Sequence, residues 1–337
     1  MKKIINQPQD FVDEVIDGIL LAHPRSLTSV SPDNRALVRT GAPFAGKVGI
    51  VTGGGSGHLP VFLGYVGIGL CTGVAIGNVF SSPSAEQVLS ATVAANGGAG
   101  VLYLYGNYGG DVLNFDLAKD LAELEGIEID TAIVSDDVAS APKERASDRR
   151  GVAGMVFAYK LAGAAAERGD SLEEVTRIAH KVNERVRSMG VGLSPTVLPA
   201  VGEPTFTLED NEMEIGIGIH GEPGVHRGAL ESADEITDRL LQEILRDLDL
   251  PRGSRVALMV NGMGATPAEE LYLMFRHAKH LLDAAGVEIY RPYIGEFATS
   301  LEMAGASITV LALDDELVQL LDAPAISPFF EQHEEHV

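Results

Sequence analysis

The chain has 337 residues, 45% of them hydrophobic, with a formal net charge of −23 and one cysteine, Cys71. That length exceeds one typical domain and leaves two domains or one large α/β domain as the expectation. The acidity argues against a nucleic-acid backbone or an anionic membrane surface as partner, and a lone cysteine excludes internal disulfides and fits a reducing cytoplasm.

The first residues, Met1-Lys2-Lys3 followed by polar Asn6 to Asp10, carry no apolar signal segment, so a cytoplasmic protein is expected. Phe11 to Ala22 sets Phe11, Val15 and Ile19 on one face of an opening helix. Val48 to Thr52 is an apolar, β-branched run that reads as a buried strand, and it ends in the glycine loop Gly53-Gly-Gly-Ser-Gly-His58. Between Lys47 and Asp111 the only formally charged residue is Glu86, so an acidic chain has cleared its charges from a long stretch and left His58 at the loop's end. Leu59 to Phe80 is uncharged enough to raise a membrane span, but Pro60 and its glycines break it into short pieces.

Leu70 to Ile76 reads as a second strand, and Ser82-Pro-Ser-Ala-Glu86 as a helix start. Gly100 to Tyr105 is the next strand, Gly106 to Asp111 its loop, and Leu113, Leu117, Leu121 and Leu124 mark the helix that follows. A strand at Ile129 to Val134 and an alanine-rich helix at Gly151 to Arg168 come next, then a capping box at Ser171 that opens a helix running to about Ser188. This alternation predicts a mostly parallel sheet covered by helices over 1–188, and a second, smaller α/β domain over 189–337, with the boundary near Met189. In the second half strands are expected at 212–219, 255–261, 287–293 and 307–313, helices at 233–246 and 267–285, and a frayed polar tail over 332–337.

Three familiar patterns nearly match and fail. Gly41 to Lys47 has phosphate-loop spacing, but Val48 stands where a magnesium-holding hydroxyl belongs. Gly53 and Gly55 lack the third glycine of a dinucleotide fingerprint, and Gly54 to His58 resembles a hydrolase elbow with Ser56 as nucleophile but lacks its last glycine. His277 and His280 have no further ligands nearby in sequence and read as a solvated helix face, so no metal site is expected.

Two places remain. Met213, Ile215, Ile217 and Ile219 alternate with Glu212, Glu214, Gly216, Gly218 and His220, leaving bare backbone beside an imidazole; the alternative is close packing onto those glycines around a core histidine. Asp111 reads either as a helix N-cap or as a carboxylate at the carboxyl end of a parallel strand, where open α/β sheets bind ligands. With His58 at the end of a neighbouring strand, the pair would suit proton transfer from a hydroxyl.

Gly53-Gly-Gly-Ser-Gly-His58, Asn107 to Phe115, Asp136-Asp-Val138, Arg150 to Gly154, Gly218-Ile-His-Gly-Glu-Pro-Gly224 and Asn261 to Thr266 together resemble the dihydroxyacetone-binding subunit of dihydroxyacetone kinases, the DhaK family, over nearly the whole chain. The resemblance implies a two-domain α/β subunit in a homodimer. It implies that His220 binds the ketone of a short ketose as a covalent hemiaminal, that Asp111 is the base for the terminal hydroxyl, and that His58 assists. Gly55, Ser56, Gly57, His58 and Gly106 would line the substrate. No cofactor is expected on this chain; ATP or ADP with magnesium would belong to a separate DhaL-type nucleotide-binding subunit, recharged in some systems by a DhaM-type phosphotransferase subunit. Leu59, Gly106 and Gly109 depart from the family's usual glutamate, lysine and hydroxyl residue; the two glycines remove bulk and polarity beside Asp111, which implies a roomier pocket suited to a four-carbon ketose such as erythrulose. The competing expectation is a ketose-sensing regulator without catalysis.

Overall fold

The computed structural model describes residues 2–333. The chain divides into two compact units, one of Met1–Ile133, Ala158–Lys181 and Leu317–Val337, the other of Val134–Phe157 and Val182–Glu316. It therefore crosses between units several times, where the sequence suggested one boundary near Met189. Residues 334–337 of the expected polar tail lie outside the described range.

In the first unit α1 (Phe11–Ala22) precedes β1 (Leu27–Ser29), β2 (Ala36–Arg39), β3 (Gly49–Ser56) and β4 (Gly73–Val79). Then come α2 (Ala85–Ala95), β5 (Val101–Gly106), α3 (Gly109–Leu124) and β6 (Ile129–Val134), whose last residue opens the second unit. The sheet order is β1-β2-β4-β3-β5-β6, and β3 runs parallel to both β4 and β5. α1 buries Val12 and Ile16, with Phe11, Val15 and Ile19 flanking them half-buried, so its predicted face is right to within one position.

The predicted glycine loop is largely strand: Gly53, Gly54 and Gly55 pair with Ala75, Ile76 and Gly77. These glycines give way to aromatic and backbone neighbours rather than to a turn. A Cβ on Gly54 would lie 2.2 Å from the Phe62 ring, and one on Gly53 3.1 Å from the Phe115 ring. Gly77 is tighter, since a Cβ there would sit 1.8 Å from the carbonyl oxygen of Ser81, which is backbone and cannot swing aside. Gly77→Ala is expected to cost about 3 kcal/mol or more, read as a drop in urea midpoint. A change under about 1 kcal/mol would mean that the turn after β4 relaxes at little cost.

α3 turns its stripe the other way from the leucines that mark it. Leu113 is 69% and Leu124 84% exposed, whereas Asp111, Phe115, Ala118 and Ala122 face the core. The two stripes share one helical period, and the small alanines let α3 lie close against the sheet while Phe115 stacks on Tyr105 at 4.2 Å.

α4 (Met155–Arg168) and α5 (Leu172–Arg185) carry the chain between units, and α5 runs directly into β7 (Val186–Ser194). The expected helix to Ser188 stops at Arg185 because the polar residues that follow are buried with partners. Arg187 pairs with Asp247, and the Ser188 hydroxyl donates to Asp136 and lies 2.7 Å from that of Thr309. The second unit continues with β8 (Glu212–Ile215), β9 (His226–Ala229), α6 (Ala233–Leu248), β10 (Arg255–Gly262), α7 (Ala268–Ala285), β11 (Glu288–Gly295) and β12 (Ala304–Leu313). Its sheet, β11-β10-β12-β7-β8-β9, is antiparallel apart from the β10–β11 pair. α6 and α7 contribute Leu240, Leu241, Ile244, Leu271 and Leu282 to the core over it.

α8 (Asp315–Asp322) and the hairpin β13 (Ala325–Ile326) and β14 (Glu331–Gln332) follow. Gln332 was expected in the frayed tail. It is instead buried, and its amide donates to the Leu321 carbonyl at 2.5 Å. Among the described residues no helix is long and apolar enough to cross a membrane.

Candidate active site

In the first sheet β3 leads towards β4 on one side, while β5 leads through α3 to β6 on the other. Adjacent parallel strands whose connections diverge leave a crevice at their carboxyl ends. There β3 delivers Gly55, Ser56, Gly57 and His58, and β5 delivers Gly106 and, one loop later, Asp111 in the first turn of α3. His58 is 2% and Asp111 5% exposed.

The turn 77–83 ties these loops together, and the sequence reading saw in it only a helix start. The Phe80 N–H donates to the Ser56 carbonyl at 3.0 Å, and the Phe80 ring stacks on His58 with centroids 4.7 Å apart and planes 15° from parallel. Phe62 meets the same imidazole edge-on at 6.1 Å. Phe80 holds φ at +56°, a region that costs a bulky residue energy and persists only where the surroundings fix it. On the other side Ser82 leaves no room for a side chain at Gly110, and Asn114 donates to the Pro83 carbonyl at 2.7 Å. Gly109 faces open space, with nothing within 4 Å of a built Cβ. The Ser56 hydroxyl donates to the Gly77 carbonyl at 2.9 Å rather than to a histidine, which does not suit a hydrolase nucleophile. Lys47 of the failed phosphate loop is held by Glu167 at 2.6 Å.

His220 belongs to the second unit. The strand expected over 212–219 ends at Ile215, because Gly216 takes φ +80° and directs its N–H to the Gly190 carbonyl. Close packing does explain both bare glycines: a Cβ on Gly216 would meet Ala139 at 2.6 Å, and one on Gly218 would meet the Glu222 carboxylate at 2.1 Å. What they pack around is a histidine with an oriented ring. Glu222 accepts from the His220 N–H at 2.9 Å and lies 2.8 Å from Nδ1 of the same residue.

Burial pushes the Glu222 carboxyl up, but the hydrogen bond and charge of His220, with the backbone N–H groups, outweigh it and hold the pKa at about 2. An ionised carboxylate only accepts, so Nδ1 carries a proton, and whenever the ring is in its neutral form the lone pair is on Nε2. Behind Glu222 stands Arg150, with Nη1 3.9 Å from it and Nη2 2.7 Å from Asp137, and Nη2 also donates to the Gly216 carbonyl. In the sequence Glu222, Arg150 and Asp137 are motif letters alone; their roles emerge from these contacts. Asn261 is buried and uses its whole amide to clamp the neighbouring loop, donating to the Ala298 carbonyl and Ser307 and accepting from Phe297 and Ala298.

The Glu222 shift has a pH consequence. A carboxylate lowered from 4.5 to about 2 on folding stabilises the chain above pH 4.5, and that contribution disappears as pH falls through 2. Screening at a partly exposed side chain reduces it to about 2 kcal/mol. Wild type should exceed Glu222→Gln in urea midpoint by its full margin near pH 5, narrowing towards pH 2. A margin independent of pH would contradict the assignment.

The His277 side chain is 19% exposed and lies 3.0 Å from Asp238 of α6, so it packs against that helix rather than on the solvated face expected. Among the described residues no group of three or more His, Cys, Asp or Glu side chains is arranged to hold a metal ion.

The Dak1 domain family matches residues 17–329. The chain is 40% identical over 330 residues to a PTS-dependent dihydroxyacetone kinase 2 dihydroxyacetone-binding subunit DhaK of Listeria innocua, covering 98% of this chain and 99% of that one. It is 43% identical to an L-erythrulose 1-kinase of Mycolicibacterium smegmatis, covering 98% of this chain but 58% of that longer protein. Among solved structures, the dihydroxyacetone kinase of C. freundii in complex with AMP-PNP and Mg2+ superposes with a TM-score of 0.89 at 31% identity, over 98% of this chain and 61% of that one. Matched across nearly its whole length by the family and by a relative of equal extent, the chain belongs to the Dak1 family of dihydroxyacetone-binding kinase subunits.

Proposed function

We propose that the chain is the substrate-binding subunit of a short-chain ketose kinase, a phosphotransferase that holds dihydroxyacetone on His220. The observation that carries this is the His220–Glu222 pair, which puts the imidazole lone pair on Nε2. Nε2 adds to the ketone carbon, the carbonyl π pair moves to oxygen, and the proton that Nδ1 gives up passes by way of Glu222 and solvent to that oxygen, leaving Glu222 ionised again. The product is a neutral hemiaminal. The ceiling of about 1.5 kcal/mol per heavy atom leaves so small a ligand only modest affinity once its hydroxyls are desolvated, so a reversible covalent bond adds grip and rejects glycerol, which has no carbonyl. Asp111, with His58, serves as base for the terminal hydroxyl, and Gly55, Ser56, Gly57 and Gly106 line the ketose.

The phosphoryl group comes from a separate DhaL-type subunit that carries ATP, or ADP recharged by a DhaM-type phosphotransferase subunit, and the nucleotide's magnesium belongs there. The names of the relatives, PTS-dependent among them, support this division of labour. In this reading the chain works as a homodimer in the cytoplasm.

A four-carbon ketose is the second reading. It is favoured by relatives named L- and D-erythrulose kinases, of whose length the chain spans little more than half.

Carbon-13 NMR with carbonyl-labelled dihydroxyacetone and erythrulose tests both. A ketone signal replaced by a hemiaminal signal supports the function, and turnover in the presence of a nucleotide subunit ranks the sugars. A chain that leaves every ketone signal unchanged is not this subunit.

A further inference from the structure

The turn that holds Ser56 and His58 is itself anchored from outside the crevice. Arg35 is 8% exposed, and its Nη1 donates to the Gly77 carbonyl at 3.2 Å. Its Nε and Nη2 both reach the largely exposed Asp13 at 2.7 Å. The Gly77 oxygen that accepts from Arg35 is the one that accepts from the Ser56 hydroxyl. A carbonyl oxygen has two lone pairs, and here one is held by the guanidinium while the other aims the serine. With its hydrogen committed to Gly77, Ser56 presents lone pairs to whatever lies beside it, which suits acceptance from a ligand hydroxyl.

Gly77 cannot supply this order alone, because it has no side chain and the turn after it carries a phenylalanine at positive φ. A cavity of about 340 Å³, lined by Asp13, Asp33, Arg35, Gly77, Asn78 and Ser82, lies beside the guanidinium.

We propose that Arg35 is a positioning residue for ketose binding: through the Gly77 carbonyl it fixes the direction of the Ser56 hydroxyl and the seat of the 77–82 turn under His58. The inference rests on the function proposed above. Arg35 touches no substrate, so its removal acts on affinity through geometry.

The test compares wild type with Arg35→Ala, Arg35→Lys and Asp13→Asn in dihydroxyacetone titrations followed by carbon-13 NMR, and in amide hydrogen exchange of the ligand-free chain. Arg35→Ala should bind about tenfold more weakly and exchange faster at residues 55–58 and 77–82, the loss expected for one charge-assisted hydrogen bond. Guanidinium at about 50 mM, far below its denaturing range, should enter the vacated space and restore most of the affinity, whereas equal sodium chloride should not. Arg35→Lys keeps a donor and should fall between the two, and it carries the test if the alanine variant does not fold. Asp13→Asn leaves the Gly77 contact in place and should bind like wild type.

Wild-type affinity in Arg35→Ala overturns the proposal, as does a loss that guanidinium leaves untouched or a loss in Asp13→Asn as large as that in Arg35→Ala. A wild-type chain that takes up no ketose defeats the proposed function instead. The exchange comparison then still decides whether Arg35 holds the turn.

Discussion

His220→Ala is expected to abolish the hemiaminal signal and to weaken ketose binding at least about a hundredfold, to the millimolar range or beyond. The loss should exceed that of any other single change in the pocket, because the remaining contacts are hydrogen bonds exchanged against water, worth roughly 1 kcal/mol each. Glu222→Gln separates two contributions in the same assay. It leaves Nε2 in place but removes the charge that holds the proton on Nδ1, so it should lower adduct formation about tenfold without eliminating it. Glycerol should bind wild type and His220→Ala equally poorly. A labelled carbonyl that still forms an adduct on the alanine variant would show that another nucleophile takes the ketone.

Asp111→Asn is expected to leave the adduct intact and to cut phosphoryl transfer by about 10²–10⁴, the range for loss of a positioned general base. Asparagine preserves the shape of the buried side chain at the head of α3, so stability should change little. The readout is a coupled assay with the nucleotide subunit, run beside the NMR titration on the same preparation. If turnover persists within threefold of wild type while binding is unchanged, the hydroxyl loses its proton to another group. If binding falls as steeply as turnover, Asp111 holds the ketose rather than activating it.

How each residue is signalled along the chain explains which of them could be read in advance. His58 and Asp111 follow strands whose apolar runs are local signals, and strands that alternate with helices place their exits on one edge of a parallel sheet. Position 220 stood out through bare glycines beside an imidazole, but taken alone the same letters favour close packing. Only the contacts of Glu222 and Arg150 showed that the packing and the oriented ring are one arrangement. Arg35 gave no signal at all: it lies far in sequence from Gly77, and nothing near it distinguishes it from a surface arginine.

From sequence alone came the period of each element, the acidic surface, the strand-and-helix alternation of the first half, and the residue types able to hold a ketone and move a proton. The tertiary structure decided which of two equally periodic stripes of α3 faces inward, with Ala118 and Ala122 buried and Leu113 and Leu124 outside. It also decided that the glycines after Thr52 continue a strand, and that Arg187 and Ser188 belong to a buried strand rather than to a helix surface. Periodicity is set by bonds between near neighbours, so it can be read along the chain. Facing, pairing and the burial of a polar side chain depend on partners brought from distant positions, and those exist only once the chain has folded.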